Sequence, residues 1–96
     1  MRMLLTAQMD TQITNRSISD GTMSKMMEEI VERLKPEAAY FAIQNGRRTC
    51  LMVFDMQDSA RIPPLMEPLF HAGSEIGLVP VMNLDDLRTG LKSAGT

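Results

Sequence analysis

Hydrophobic residues along this chain recur at every second position in four segments, and at every third or fourth position in the stretches between them. The first spacing is typical of strands and the second of helices. Asn83 is the expected cap of a last, short helix. We therefore predict strands at residues 2–10, 38–44, 47–56 and 76–82, one helix within residues 16–34, a second at 59–73 and a short C-terminal helix at 83–92.

Residues that favour turns and helix ends separate these segments. Asn45 and Gly46 lie between two apolar runs and predict a tight hairpin, because both residue types tolerate positive φ. Pro36 is expected to end the first helix, and Pro68 to kink or shorten the second. Pro80 fits the last strand only where its missing N–H needs no ladder partner.

The predicted order is strand, helix, strand, strand, helix, strand, with the hairpin in the middle. This order is that of the split β-α-β unit. A chain of 96 residues has room for one hydrophobic core. We predict one α+β domain over residues 1–96 with a ferredoxin-like βαββαβ fold, in which two helices cover one face of a four-stranded antiparallel sheet.

The third predicted strand has apolar residues on both of its faces. Cys50, Met52 and Phe54 face one way, while Leu51 and Val53 face the other. A strand covered by helices on one side normally presents polar residues on its opposite side. The second side therefore needs its own cover, and in so short a chain the expected cover is a second copy. The pattern predicts a homodimer formed through the sheet.

Adding the other strands divides the sheet into two predicted faces. The helix-covered face should contain Leu5, Ala7, Phe41, Ile43, Met52, Phe54, Val79 and Val81. The opposite face should contain Leu4, Thr6, Gln8, Tyr40, Leu51, Val53, Asp55, Leu78, Pro80 and Met82. An apolar patch of this kind usually marks an interface or a binding cavity.

Composition excludes several function classes. The 10 basic and 12 acidic residues give a net charge of −2, and Trp is absent, so nucleic-acid binding is not expected. One cysteine and one histidine cannot build a disulfide framework or a multi-residue zinc or haem site, so we predict no metal and no cofactor. The apolar start of the chain breaks at Thr6 and Gln8, too early for a signal peptide or a membrane span, which favours a cytoplasmic protein away from membranes.

Methionine is unusually frequent, with ten copies against four aromatic residues. Methionine side chains are flexible and fill either irregular core spaces or adaptable binding surfaces. Met23, Met26 and Met27 fall within one predicted helix. Core packing is the favoured interpretation of this group, with a patch that faces a ligand as the alternative.

Two residues are weak candidates for proton transfer. Asp55 on the outer sheet face would be partly desolvated beside apolar neighbours, which suits a general base, although an ion pair across the dimer to Arg47 or Arg48 is favoured. His71 is the only histidine, and it is expected to complement the dipole at the end of the second helix rather than move a proton.

Three polar residues on the predicted outer face are weak candidates for ligand binding. Gln8, Tyr40 and Thr6 could orient a small molecule, or could bond one another or water at a wet interface.

The order of elements resembles that of the dimeric α/β-barrel superfamily of ferredoxin-like domains. The chain is also similar, over nearly its whole length, to a group of uncharacterised small bacterial proteins. The similar segments are residues 35–41 (KPEAAYF), 46–49 (GRRT), 53–56 (VFDM), 62–63 (IP), 67–68 (EP) and 80–82 (PVM). The resemblance implies the fold and a homodimer, and it implies no catalytic residues.

Two functions stay open at this point, and the sequence leaves undecided whether the protein is an enzyme. The favoured one is a homodimer that binds a small apolar ligand between the sheet and its partner. The alternative is a cofactor-free enzyme, like a monooxygenase or an isomerase, acting on a small organic compound. In that case Asp55 or His71 would move a proton while Tyr40 and Gln8 hold a polar substituent.

Overall fold

A computed structural model describes residues 1–95 of the chain. Its elements run in the order β1 (Arg2–Gln8), α1 (Thr11–Asp20), α2 (Thr22–Leu34), β2 (Ala38–Gln44), β3 (Arg47–Asp55), α3 (Ile62–His71), β4 (Glu75–Pro80) and α4 (Leu84–Ser93), with a 3₁₀ turn at Ser59–Arg61 before α3. The four strands form one open antiparallel sheet in the order β2-β3-β1-β4. The fold is α+β and is consistent with the ferredoxin-like arrangement that the sequence predicts.

The hydrophobic core lies between one face of this sheet and helices α2 and α3. The two central strands supply most of it, because alternate residues of β1 and β3 are buried on the side of the helices. Its buried members are Met3, Leu5, Ala7, Met9, Ile30, Leu34, Cys50, Met52, Phe54, Met56, Leu65, Met66 and Leu69. The helices of this core leave the opposite face of the sheet uncovered, and we call that side the outer face.

The predicted hairpin is confirmed. Strands β2 and β3 pair from Gln44 with Arg47 upward, and the two residues between them have φ values of 54° at Asn45 and 70° at Gly46. Two consecutive positive φ values match the right-handed twist of the strands that they connect. This turn fixes the register of the whole β2–β3 pair.

The helical region after β1 differs from the prediction. It begins at Thr11 rather than near residue 16, because the Asp10 side chain caps α1 by accepting a hydrogen bond from the Ile13 N–H at 2.9 Å. Gly21, at φ 83°, then separates α1 from α2. The only buried residue of α1 is Thr14, so this helix lacks the apolar stripe by which a helix is recognised in a sequence.

Helix α3 is shorter than the predicted segment 59–73, and Pro68 lies inside it. The spacing of its apolar residues predicts a buried stripe of Ile62, Leu65 or Met66, Leu69 and Phe70. Leu65, Met66 and Leu69 are buried, whereas Ile62 and Phe70, near the two ends of the helix, are exposed.

The assignment of faces on β4 is wrong. Leu78 pairs with the fully buried Leu5, which places Leu78 on the helix-covered side and turns Val79 outward. Residues 78–82 are all apolar, so the period of two cannot show which of them face the core. Pro80 is the last residue of this edge strand, where the absence of its N–H breaks no interior ladder.

The prediction that Phe41 and Ile43 belong to the core is also wrong. Their side chains lie on the helix side of the sheet, opposite Cys50 and Arg48, but they are 62% and 73% exposed. Strand β2 is at the edge of the sheet, and the core that α2 and α3 form with β1 and β3 does not extend over it.

Helix α4 stands apart from this core. Asn83 and Asp86 form a capping box at its start, and none of its residues is buried. Its Asp86 carboxylate accepts a hydrogen bond from the Arg2 guanidinium at 3.1 Å. The described molecule is elongated, with extents of 54 × 28 × 18 Å.

Candidate functional site

An apolar cavity of about 290 Å³ lies on the helix side of the sheet, beside the exposed edge strand. Its lining comes from α2, from β2, from the start of β3 and from Met9, which directly follows β1. The residues that line it are Met9, Met23, Met27, Phe41, Ala42, Ile43, Arg48 and Thr49. We call this site the methionine cavity.

Three methionines reach the cavity from two elements. Met23 and Met27 are four positions apart on α2 and therefore lie on one side of that helix. Met9 follows β1 and is held by its N–H, which donates to the Arg48 carbonyl at 2.9 Å. Met23, Met26 and Met27 all pack against the core, as the favoured interpretation of the methionine group expects. The flexible thioethers of Met23 and Met27 suit a surface that adapts to a ligand.

Phe41 and Ile43 form the opposite side of the cavity. Both side chains are large, apolar and exposed. Covering their surface would contribute about 25 cal/mol of favourable free energy per Å² removed from water. Ala42, which lies between them on the strand, adds no charged group to this edge of the sheet. A ligand that covers Phe41 and Ile43 therefore gains from the hydrophobic effect.

The one charged side chain in the lining is Arg48. Its guanidinium donates to the Thr14 hydroxyl at 2.8 Å and to the Asn15 side-chain oxygen at 2.9 Å, which ties β3 to α1. Both acceptors are neutral. None of the ion pairs within residues 1–95 includes Arg48. Because the lining is almost wholly apolar, the aliphatic part of Arg48 faces the cavity, while its guanidinium lies at the margin and is directed toward α1.

The three predicted ligand-binding residues lie on the outer face of the sheet, away from the methionine cavity. Thr6 and Tyr40 are both directly opposite Leu51, on its two sides. Gln8 is opposite Thr49 in the next row of this face. The structure therefore brings Thr6, Gln8 and Tyr40 together in two adjacent rows, with Tyr40 exposed and the other two half-buried.

The two candidates for proton transfer are not brought together. Asp55 pairs with Arg2 at the start of β1, and its carboxylate accepts a hydrogen bond from the Met1 ammonium at 2.8 Å. His71 precedes β4, whose first residue pairs with Gln8 at the far end of β1. The His71 ring lies 3.5 Å from the Glu67 carboxylate, one turn earlier on α3. Both candidates are exposed, and neither lines the methionine cavity.

A second cavity, of about 370 Å³, lies at the end of β3 and is lined by polar groups. Three basic side chains contribute to it, from the end of α2 and from the 3₁₀ turn: Arg33, Lys35 and Arg61. The exposed carboxylate of Asp55 lies in the same lining. This site is more polar than the methionine cavity, although Leu34, Phe54, Met56 and Leu65 also contribute to its lining.

Residues 1–95 contain neither a cluster of metal ligands nor a helix that could span a membrane. No group of three or more His, Cys, Asp or Glu side chains in this part of the chain is arranged to hold a metal ion. None of the helices described is long and apolar enough to cross a membrane.

Comparison of the chain with protein-family models, with curated proteins and with solved structures finds no match in any of the three.

Arg48 is the residue of the cavity that the sequence could have revealed. The Asn45-Gly46 turn sets the register of the hairpin, and that register places Arg48 opposite Ile43, on the helix side. A charged residue directed toward the helix layer is unusual and indicates a specific partner. The sequence does not reveal that partner, because the polar residues 11–15 predict a turn and not the helix that carries Thr14 and Asn15.

Proposed function

We propose that this protein is a homodimer that binds a small apolar ligand in the methionine cavity. The observation that carries the proposal is the lining itself, in which Met9, Met23 and Met27 face Phe41 and Ile43 across about 290 Å³ of space. Ligand sites are typically concave, largely apolar and roughly 300–1,000 Å³ in volume. The cavity lies at the lower end of this range, which favours a small organic molecule.

Binding is a better supported function than catalysis. Among residues 1–95, those that line the methionine cavity supply no carboxylate, imidazole or thiol, although these groups are the usual sources of proton transfer and nucleophilic attack. Asp55 and His71 lie at opposite ends of the sheet and outside this lining. The arrangement suits a site that holds its ligand unchanged.

The proposed dimer uses the other face of the sheet. Leu4, Leu51 and Val53 form its half-buried centre, with the exposed Tyr40 beside them. Ion pairs lie toward its two ends, where Arg2 contacts Glu37 and Asp86, and Arg47 contacts Glu75 at 3.0 Å. An apolar centre with a charged rim is the usual anatomy of a protein interface.

The area of this face argues that α4 takes part in the same interface. The face measures about 19 Å by 24 Å, roughly 450 Å², from the usual strand spacing and rise. A stable interface buries about 800 Å² on each partner. If α4 of each chain packs on the other, its apolar side and the surface that it covers add about 300 Å² per chain, given a helix about 15 Å long and 10 Å wide.

The exposed leucines of α4 support this arrangement. Leu84 and Leu87 lie three positions apart on one side of the helix and are 60% and 40% exposed. Asp86 holds the start of the helix against Arg2, whose side chain lies on the outer face. In a two-fold dimer each α4 would cover the partner and be covered in return.

Methyl NMR of the ten methionines tests the ligand site directly. The protein labelled with ¹³C at its methionine methyl groups would be titrated with octanamide, a small neutral amphiphile. We expect the signals of Met9, Met23 and Met27 to shift, since these residues line the cavity. The signal of Met82, which is exposed beyond β4, should stay in place. Shifts at other methionines alone, or none at all, would refute the proposed site.

A pair of substitutions separates the cavity from general surface hydrophobicity. Ile43→Gln removes an apolar wall of the cavity and should weaken octanamide binding about fivefold. Because Ile43 is exposed, the substitution should not unfold the protein. Ile18→Gln is the control, since Ile18 is an exposed isoleucine on α1 that does not line the cavity. Equal effects of both substitutions would contradict the proposal.

A further inference from the structure

We propose that the ligand of the methionine cavity is a small hydrophobic acid, whose carboxylate pairs with Arg48 while its apolar part lies against the methionines, Phe41 and Ile43. This inference rests on the proposed function, because it assigns a chemical class to the ligand of that site. The apolar lining alone does not favour a charged ligand over a neutral one. The positive charge of Arg48 favours a ligand that carries a negative charge.

The guanidinium of Arg48 is positioned and still has donors to offer. Arginine carries five N–H donors in one plane. Two nitrogens of Arg48 donate to Thr14 and Asn15, at 2.8 and 2.9 Å, and these bonds fix the direction of the plane. The remaining donors can bind both oxygens of a carboxylate, the geometry that makes such pairs strong and specific.

The surroundings of Arg48 favour an anion as the missing partner. Its side chain is half-buried, and its two hydrogen-bonded partners carry no charge. A positive charge next to an apolar surface loses part of its hydration, and an anion from the ligand compensates for that loss.

The basic residues of the second cavity fit this ligand less well. Arg33, Lys35 and Arg61 lie in a lining that is mostly polar, and the apolar residues that share it are buried core residues with little exposed surface. All three are exposed, whereas Arg48 is half-buried and held by two hydrogen bonds. The methionine cavity combines a fixed cation with an apolar wall, and this combination matches an amphiphilic acid.

Two probes of almost equal size and shape test the inference. Octanoate carries a carboxylate, and octanamide replaces it with a neutral group. In the unmodified protein, calorimetry at low salt should show that octanoate binds about tenfold more tightly, as expected for one charge-assisted hydrogen-bonded pair. Equal affinities would overturn the assignment of an acid while leaving the binding site intact.

Substitutions locate the group responsible for the preference. Arg48→Gln should abolish the preference for octanoate, so that octanoate and octanamide bind the variant with equal affinity. Asn15→Ala removes one acceptor that positions the guanidinium and should reduce the preference in part. Arg61→Gln is the matched control, since it removes an unpaired arginine from the second cavity.

Each outcome has a distinct meaning. Loss of the preference in Arg48→Gln and its retention in Arg61→Gln support the inference. A preference that survives Arg48→Gln and disappears in Arg61→Gln places the anion in the second cavity and overturns it. If neither octanoate nor octanamide binds the unmodified protein, the proposed function itself fails. If octanamide binds and octanoate binds no better, only the acid is excluded.

Discussion

Two phenylalanines on the same side of the sheet show how position decides the contribution of a residue. Phe54 on central strand β3 is 1% exposed, whereas Phe41 on edge strand β2 is 62% exposed. We predict that Phe54→Ala lowers the free energy of unfolding by about 3–5 kcal/mol, since it leaves a cavity in the core. Phe41→Ala should lower it by less than about 1 kcal/mol. Urea denaturation measures both values, and equal losses would contradict the uncovered edge.

Cys50 is a core residue whose reactivity follows from its burial. It is 1% exposed, and burial raises the pKa of its thiol to about 11. The reactive thiolate is therefore scarce at neutral pH, and reagents have no access to it. We expect a thiol reagent at pH 7 to modify the folded protein at least about 100-fold more slowly than the chain in denaturant. Fast labelling of the folded protein would show that β3 is not buried as described.

At the scale of elements, the turn between α3 and β4 depends on one glycine. Gly73 has a φ of 78°, and a Cβ there would lie 2.7 Å from the tip of the Ile13 side chain on α1. We predict that Gly73→Ala costs about 1–2 kcal/mol of stability, because the left-handed region disfavours any side chain. Gly90→Ala in α4 meets open space and should be neutral or slightly stabilising. Thermal unfolding of the two variants provides the comparison.

The exposed leucines of helix α4 lead to a prediction about the stability of the dimer. Replacing both Leu84 and Leu87 by Gln should raise the dissociation constant of the dimer about tenfold or more, because both residues would lie in the interface. The stability of the separate chain should change little, since neither residue is buried in it. Arg88→Gln, on the same helix, is the control, because the ion pair that Arg88 makes within residues 1–95 is with Asp85 in α4. Sedimentation at several concentrations gives the dissociation constants, and unchanged values in the double variant would separate α4 from the dimer.

The sequence predicts some elements better than others, for physical reasons. The strands β2 and β3 follow from alternation and from the Asn45-Gly46 turn, which specify both the pairing and its register. The phase of β4 does not follow, because its last residues are all apolar and either face could be the buried one. Helix α1 does not follow either, because its single buried side chain is the polar Thr14.

At the scale of the whole molecule, apolar residues on both faces of the sheet predict that a second copy of the chain covers the outer face. They do not predict the location of the methionine cavity. The cavity exists because the helix layer stops short of the edge strand, leaving Phe41 and Ile43 open beside α2. That mismatch in width is a property of how α2, α3 and the sheet pack together. Hydrophobic periodicity assigns a residue to a face, and it does not say how far the cover of that face extends.

The two faces of the sheet have different roles in this account. The helix side holds the core and, at its uncovered edge, the methionine cavity. The outer side holds the half-buried Leu4, Leu51 and Val53, which with α4 form the proposed dimer interface. Binding of octanamide should therefore leave the dimer intact, since ligand and partner use opposite sides.

Sedimentation equilibrium of the unmodified protein at micromolar concentration tests the central claim most directly, because a lone chain leaves both the outer face and α4 uncovered. One chain has a mass of 10.7 kDa. We predict a single species of twice that mass. A folded particle with the mass of one chain at every concentration would contradict the proposed dimer.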